Sequence, residues 1–129
     1  MKAIALFLLV CCVGYLAFHQ KQERARITAE QESIPVLRMS SEASAALAQV
    51  TPSKVVLFST AWCPYCAQVK KLLDKRGVRF TELDVEKDPR NSKFQEDYML
   101  VRGFPVLVVG TQVIGGYNEP AILAALKEL

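Results

Sequence analysis

Cys63 and Cys66 stand two residues apart, separated by Pro64 and Tyr65. Two thiols at that spacing can interconvert between a dithiol and a disulfide. The pair lies between an apolar, strand-like run, Val55-Val56-Leu57-Phe58, and a helix-like run, Ala67-Gln68-Val69-Lys70-Lys71-Leu72-Leu73. The first thiol therefore falls at a helix N-terminus, where unpaired N–H groups and the helix dipole stabilise a thiolate. The second, one turn further in, can attack a mixed disulfide formed on the first. Pro64 suits the first helical position, where its missing N–H has no helical partner anyway. The two cysteines are too close in sequence to make a useful structural staple. A zinc site lacks its ligands: the chain has no second CxxC and one histidine, His19, far from the pair. No metal is expected, and the chemistry these residues suit is thiol–disulfide exchange.

The surrounding pattern supplies elements to position the thiols. Val55–Ser59 reads as a buried strand, and the helix after it runs to Arg76 and stops at Gly77. Val78–Val85 alternates as a second strand. Asp88-Pro89 opens a helix reaching Tyr98 or Leu100. Phe104-Pro105 leads into a third strand, Val106–Val109, and a turn at Gly110-Thr111-Gln112 into a fourth, Val113-Ile114. Gly115-Gly116 ends that strand, and Asn118-Glu119-Pro120 starts a last helix over Ala121–Leu129. The order β-α-β-α-β-β-α predicts an α/β domain over residues 54–129, with a four-stranded mixed sheet covered on both faces. At about 75 residues such a sheet still buries a core. Pro105 is a plausible cis-proline, since cis peptides are essentially confined to X-Pro bonds, and Phe104 before it would present its backbone to a bound molecule. Two glycines allow close main-chain approach, and the helix after them aims N–H groups at an anion. Lys70, Lys71, Lys75 and Arg76 read as a solvated helix face.

Three separated signals, Cys63-Pro64-Tyr65-Cys66, the Pro105 loop and Gly115-Gly116, occur in the order found in glutaredoxins, and residues 54–129 resemble that family within the thioredoxin-fold superfamily. The resemblance implies a thioredoxin-like fold and a thiol–disulfide oxidoreductase. Cys63 would be the nucleophile and Cys66 the resolving thiol. Phe104 and Pro105 would lie beside them, with Trp62 packed near the site and Tyr65 at its rim. Gly115, Gly116, Tyr117 and Asn118 would hold the γ-glutamyl end of glutathione. Glutathione would serve as co-substrate, with no bound cofactor and disulfide-containing proteins as partners. Glutaredoxins commonly carry a Lys three residues before the nucleophile and a Thr-Val-Pro triplet; here Thr60 and Gly103-Phe104-Pro105 stand there, and Asn118 replaces a common acidic residue. Lys93 and Arg102 are alternative sources of positive charge. Trp62 and Arg102-Gly103-Phe104-Pro105 look more like thioredoxin. Two alternatives therefore stand beside the glutaredoxin reading: a glutathione-independent, thioredoxin-like protein disulfide reductase or oxidant, and an iron–sulfur or other non-enzymatic binding module.

The 129-residue chain has a net charge of +3, spread along its length, with no basic stripe interleaved with aromatics, so no nucleic-acid partner is expected. Ahead of the domain, Ala3–Phe18 is an unbroken apolar run between Lys2 and His19. It is longer than a usual signal h-region of ~7–15 residues, slightly short of the ~20 of a membrane span, and lacks a small-x-small cleavage site. Residues 1–19 are therefore expected to form an uncleaved apolar helix that anchors a monomer in a membrane. Cys11 and Cys12 would be ordinary apolar side chains within it. The charges flanking it nearly balance, and the short leading tail tips the expected orientation towards a non-cytoplasmic domain. Residues 20–53, polar and interrupted by Pro35 and Pro52, read as a partly helical linker, with Ser40 or Ser41 capping a short helix over Ser41–Ala48.

Overall fold

The computed structural model describes residues 11–23 and 36–129. The chain divides into two compact units between Ser33 and Ile34. In the first, residues 11–23 are helical (α1), with exposed side chains that include Val13, Tyr15, Leu16 and Phe18. The expected anchor falls partly outside the described residues. Among the described residues no helix is long and apolar enough to cross a membrane.

In the second unit the elements run β1 (Leu37–Arg38), α2 (Ser41–Val50), β2 (Val55–Ser59), α3 (Pro64–Lys75), β3 (Thr81–Asp84), α4 (Pro89–Tyr98), β4 (Val106–Val109), β5 (Gln112–Gly115) and α5 (Glu119–Leu126). The sheet order is β1-β5-β4-β2-β3, with β2 and β3 parallel and the other pairs antiparallel. Every residue of β2 and β4 is buried, as central strands covered on both faces require. Alternation then sorts the side chains. Val55, Leu57, Leu107, Val109 and Ile114 pack with Val69, Leu72 and Leu73 of α3 and Ile122 and Ala125 of α5. Val56, Phe58, Val106, Val108 and Val113 point the other way, to Leu47 of α2, Phe94 of α4 and Met99 just after that helix.

The sheet corrects the four-strand expectation: it has five. Leu37 and Arg38, read from the sequence as linker, pair with Val113 and Gln112 of β5, and the Met39 N–H donates to the Thr111 carbonyl at 2.8 Å. Two residues are too few to show alternation, and the partner strand, not local propensity, makes them a strand. The following helix is capped by Ser40, whose side chain accepts from the Ala43 N–H at 3.1 Å. It runs two residues beyond the expected Ala48 and buries Ala43 and Leu47. Leu47→Ala is expected to cost about 2–4 kcal/mol in urea unfolding, as for a buried core leucine. A solvated linker would lose nothing.

Candidate active site

β2 ends at Ser59, and the chain turns through Thr60-Ala61-Trp62 into α3, with the Cys63 N–H reaching back to the Thr60 carbonyl at 3.4 Å. Cys63 is the N-cap of α3: its Sγ accepts from the Cys66 N–H at 3.2 Å, and Pro64 fills the first helical position. The sulfur thus takes one of the helix's orphan donors, a place usually held by a Ser, Thr or Asp oxygen. Both thiols are free and buried, Cys63 at 6% and Cys66 at 1% exposure. The nucleophile proposed from the sequence therefore meets solvent over a small area only.

The register delivers the other predicted residues to the same edge of the sheet. Phe58 pairs with Val106, so the end of β2 that leads to Cys63 adjoins the start of β4, where the Phe104–Pro105 peptide is cis as expected. Val106 pairs in turn with Gly115, and the Gly116 N–H donates to the Pro105 carbonyl at 2.8 Å. Gly116 has φ +72°, a conformation that suits glycine. Gly115 answers a different need: a Cβ there would meet Val101 Cγ1 at 2.5 Å, so its lack of a side chain serves packing against the loop before Pro105. Asn118, at 2% exposure, caps α5 by accepting the Ala121 N–H at 3.1 Å. The Tyr117 hydroxyl donates to Glu119 at 3.1 Å. Burial, and then the bond to and charge of Glu119, hold that phenol above its usual range.

Trp62, expected to pack beside the site, stands 69% exposed, and Tyr65 is 56% exposed. The indole N–H is held by Glu86 at 2.7 Å. Glu86 is fixed in its turn by Asp84, whose Oδ1 accepts the Glu86 and Lys87 N–H groups at 2.9 and 3.1 Å. A cavity of about 380 Å³ is lined by Gln95 of α4 and by Leu100, Arg102 and Phe104 of the loop before Pro105, among others. Lys93, the other cation considered, is paired with Asp97 at 2.9 Å. No group of three His, Cys, Asp or Glu side chains suited to a metal occurs among the described residues.

The glutaredoxin family profile matches residues 55–114. A glutaredoxin of Ricinus communis is 34% identical over 73 residues, spanning 54% of this chain and 72% of the relative. The chain belongs to the glutaredoxin family. Its members are thiol–disulfide oxidoreductases, and this is a glutaredoxin-like thiol oxidoreductase with a thioredoxin-like α/β fold. Among solved structures, wheat glutaredoxin superposes with a TM-score of 0.52 at 27% identity, over 69% of this chain and 88% of that one. A buckwheat glutaredoxin–glutathione complex gives 0.52 at 24% identity, over 69% and 94%, a likeness of fold.

Several partners in this glutaredoxin escaped the sequence reading. Lys70, read as part of a solvated face, reaches Glu82 of β3 at 2.9 Å, and Ser59 donates to the same carboxylate oxygen at 2.6 Å. Burial works to raise the Glu82 pKa, but the bonds from Ser59 and Lys70 and the lysine's charge outweigh it and lower it. Gln95 clamps the loop before Pro105 by donating to the Gly103 carbonyl at 3.0 Å. These pairs are 8 to 24 residues apart in sequence, and no local pattern joins them. Only the polar residue in an otherwise apolar strand, Ser59, and the amphipathic repeat of α3 hinted at a polar contact beneath the helix.

Burial, then the hydrogen bond to Cys63, pushes the Cys66 thiol from its ordinary 9.0 up to about 11; the Cys63 charge adds to this, while the Thr60 backbone and Lys70 pull the other way. Between those two values the unfolded chain gives up a proton that the folded chain keeps. Each step up in pH therefore favours unfolding, by on the order of 1 kcal/mol per unit. The reduced protein should lose more stability between about pH 9 and about pH 11 than reduced Cys66→Ser, as measured by urea unfolding at each pH. Parallel losses would remove the shift.

Proposed function

We propose that this protein reduces protein disulfides and glutathione-mixed disulfides with glutathione as its electron donor. The observation that carries the reading is the Cys63 sulfur at the head of α3, accepting the Cys66 N–H at 3.2 Å on the sheet edge shared with the Phe104–Pro105 and Gly115–Gly116 segments. In the cycle, the Cys63 thiolate attacks one sulfur of the substrate disulfide, forming a Cys63 mixed disulfide and releasing the other substrate sulfur as thiolate. Cys66 loses its proton and attacks Cys63, closing the Cys63–Cys66 disulfide and releasing the second substrate thiolate, which takes a proton. Two electrons leave the dithiol and reduce the substrate; two glutathione molecules return them by the reverse exchanges. Trp62, Tyr65, Phe104 and Pro105 would border the substrate. The main chain of Gly115, Gly116, Tyr117 and Asn118 at the start of α5 would meet the γ-glutamyl carboxylate; a buckwheat glutaredoxin of the same fold forms a complex with glutathione.

The full chain is expected to turn over a small glutathione-mixed disulfide with glutathione as sole donor, and Cys63→Ser to abolish that turnover. Cys66→Ser should keep a substantial rate on the glutathione-mixed disulfide and lose reduction of protein disulfides, which need both thiols. If turnover with glutathione is absent while the pre-reduced protein still reduces a protein disulfide, a thioredoxin-like reductase independent of glutathione is the better reading. Thr60 in place of lysine and the exposed Trp62 favour it.

We further propose that the apolar N-terminal run tethers this domain to a membrane, on its non-cytoplasmic side. The support is the length and unbroken apolar character of Ala3–Phe18. The full chain should pellet with membranes and resist alkaline extraction, and its domain should be digested by protease given access to the non-cytoplasmic face of the sealed membrane, as in spheroplasts. Release at high pH would sink the tether, and protection from protease the orientation.

A further inference from the structure

Of the ten residues of α4, the one that is buried is a glutamine, Gln95, at 7% exposure. An amide taken out of water is costly unless it is paired. This one is paired with the loop that follows its own helix. Its NH2 group donates to the Gly103 carbonyl at 3.0 Å and, at the longer distance of 3.5 Å, to the Val101 carbonyl. The loop has little else to fix its main chain. Among the described residues, no main-chain to main-chain hydrogen bond involves Leu100, Val101, Arg102, Gly103 or Phe104. Val101 and Phe104 are anchored by their side chains, which pack against the face that carries Phe58 and Val106. Gly103 has no side chain, takes φ +92°, and has open space where a Cβ would stand. Its carbonyl, held by Gln95, is its anchor.

That carbonyl is one end of a planar trans peptide, and the other end is the Phe104 N–H. In a trans peptide the two groups point in opposite directions, so fixing the first fixes the second. The Phe104 N–H has no main-chain partner among the described residues. It is also the last main-chain donor before Pro105, which has none to give. The segment that carries it enters β4 at Val106, beside the end of β2 that leads to Cys63.

We propose that Gln95 is a positioning residue for disulfide reduction: by holding the Gly103 carbonyl it sets the direction of the Phe104 N–H, the donor offered to the main chain of the substrate half that joins Cys63. Gln95 touches neither reacting sulfur and moves no proton or electron. Its effect falls on how the disulfide is seated and leaves the Cys63 thiolate unchanged. The inference rests on the disulfide-reducing function proposed above, and the experiment separates the two.

The test uses the full chain carrying Cys11→Ser and Cys12→Ser, because both of those thiols are exposed. Two rates are measured on the reduced protein. One is alkylation by iodoacetamide, which needs only the Cys63 thiolate. The other is reaction with a disulfide, either the mixed disulfide of glutathione and mercaptoethanol or insulin as a protein disulfide. Both rates scale with the thiolate, so their ratio reports the seating of the disulfide. In Gln95→Leu alkylation should stay within about twofold of the parent while the ratio falls about tenfold, the rate equivalent of one hydrogen bond. Gln95→Glu should show the same loss near neutral pH, where its carboxylate repels the Gly103 carbonyl. Its ratio should recover towards the parent's as the pH falls to about 5, because burial raises a carboxyl's pKa and the protonated form donates as the amide does. An unchanged ratio in both variants overturns the proposal. So does equal slowing of both rates, which marks a structural effect on the thiol turn, or a Gln95→Glu ratio that stays low at every pH. A parent that is alkylated but inert to both disulfides overturns the disulfide-reducing function instead. A parent that reduces insulin alone overturns the part played by glutathione, and the ratio on insulin then decides on Gln95.

Discussion

The pairing of Phe58 with Val106, and of Val106 with Gly115, decides where everything chemical in this protein can be. Because β2 and β4 are antiparallel, the strand that ends before the cysteines lies beside the strand that begins after Pro105. Because β4 and β5 are antiparallel as well, β5 ends at that edge. A slip of one residue in either pairing would turn the apolar side chains to opposite faces. It would separate Leu57 and Leu107 from α3 and α5, and Val56 and Val108 from α2 and α4. Burial on both faces thus locks the register, and the register locks the site. The Gly116 N–H to the Pro105 carbonyl continues the same pairing beyond the strands.

That lock explains how a buried pair of sulfurs can sit in an otherwise apolar structure. The short turn after β2 leaves Cys66 on the inner side of α3, next to a core whose members Val69, Leu72 and Leu73 repeat at helical spacing behind it. Cys63 stays at the helix head, where backbone donors are available. The polar links below, Ser59 and Lys70 on Glu82, join β2, α3 and β3 at one carboxylate. A half-exposed ion pair by itself contributes little; its effect here is to hold a positive charge at a fixed distance from the inner thiol.

The parts of this arrangement legible in the sequence were those written in local patterns. Val55–Ser59 and Val106–Val109 came within the expected bounds because continuous apolar runs between turn signals mark buried strands. The helix starts were readable from Pro64, Asp88-Pro89 and Asn118. The second strand was read too long: Val78 belongs to the turn that ends α3, its N–H bonded to the Leu73 carbonyl, and pairing with β2 begins at Thr81. β1 was invisible because its only signal is a partner strand far along the chain, Leu37 on Val113 and Arg38 on Gln112. Likewise the positions of Cys63, Cys66 and Pro105 could be read, but not the burial of the first thiol or the outward stance of Trp62, which Glu86 fixes from across the sheet edge. Glycine was read correctly as a residue that permits close approach, yet at Gly115 what approaches is Val101.

Three helices of the domain open the same way, and the difference among them bears on the chemistry. Each of α3, α4 and α5 has a proline in its first two positions and a side-chain cap before it. Asp88 and Asn118 cap with oxygen and are free to remain caps. Cys63 caps with the sulfur expected to react, and sulfur is a weak acceptor when neutral. The start of α3 is therefore organised by the reacting atom itself, whereas a cap made of Ser or Asp would give the helix the same start without tying it to the sulfur's chemistry.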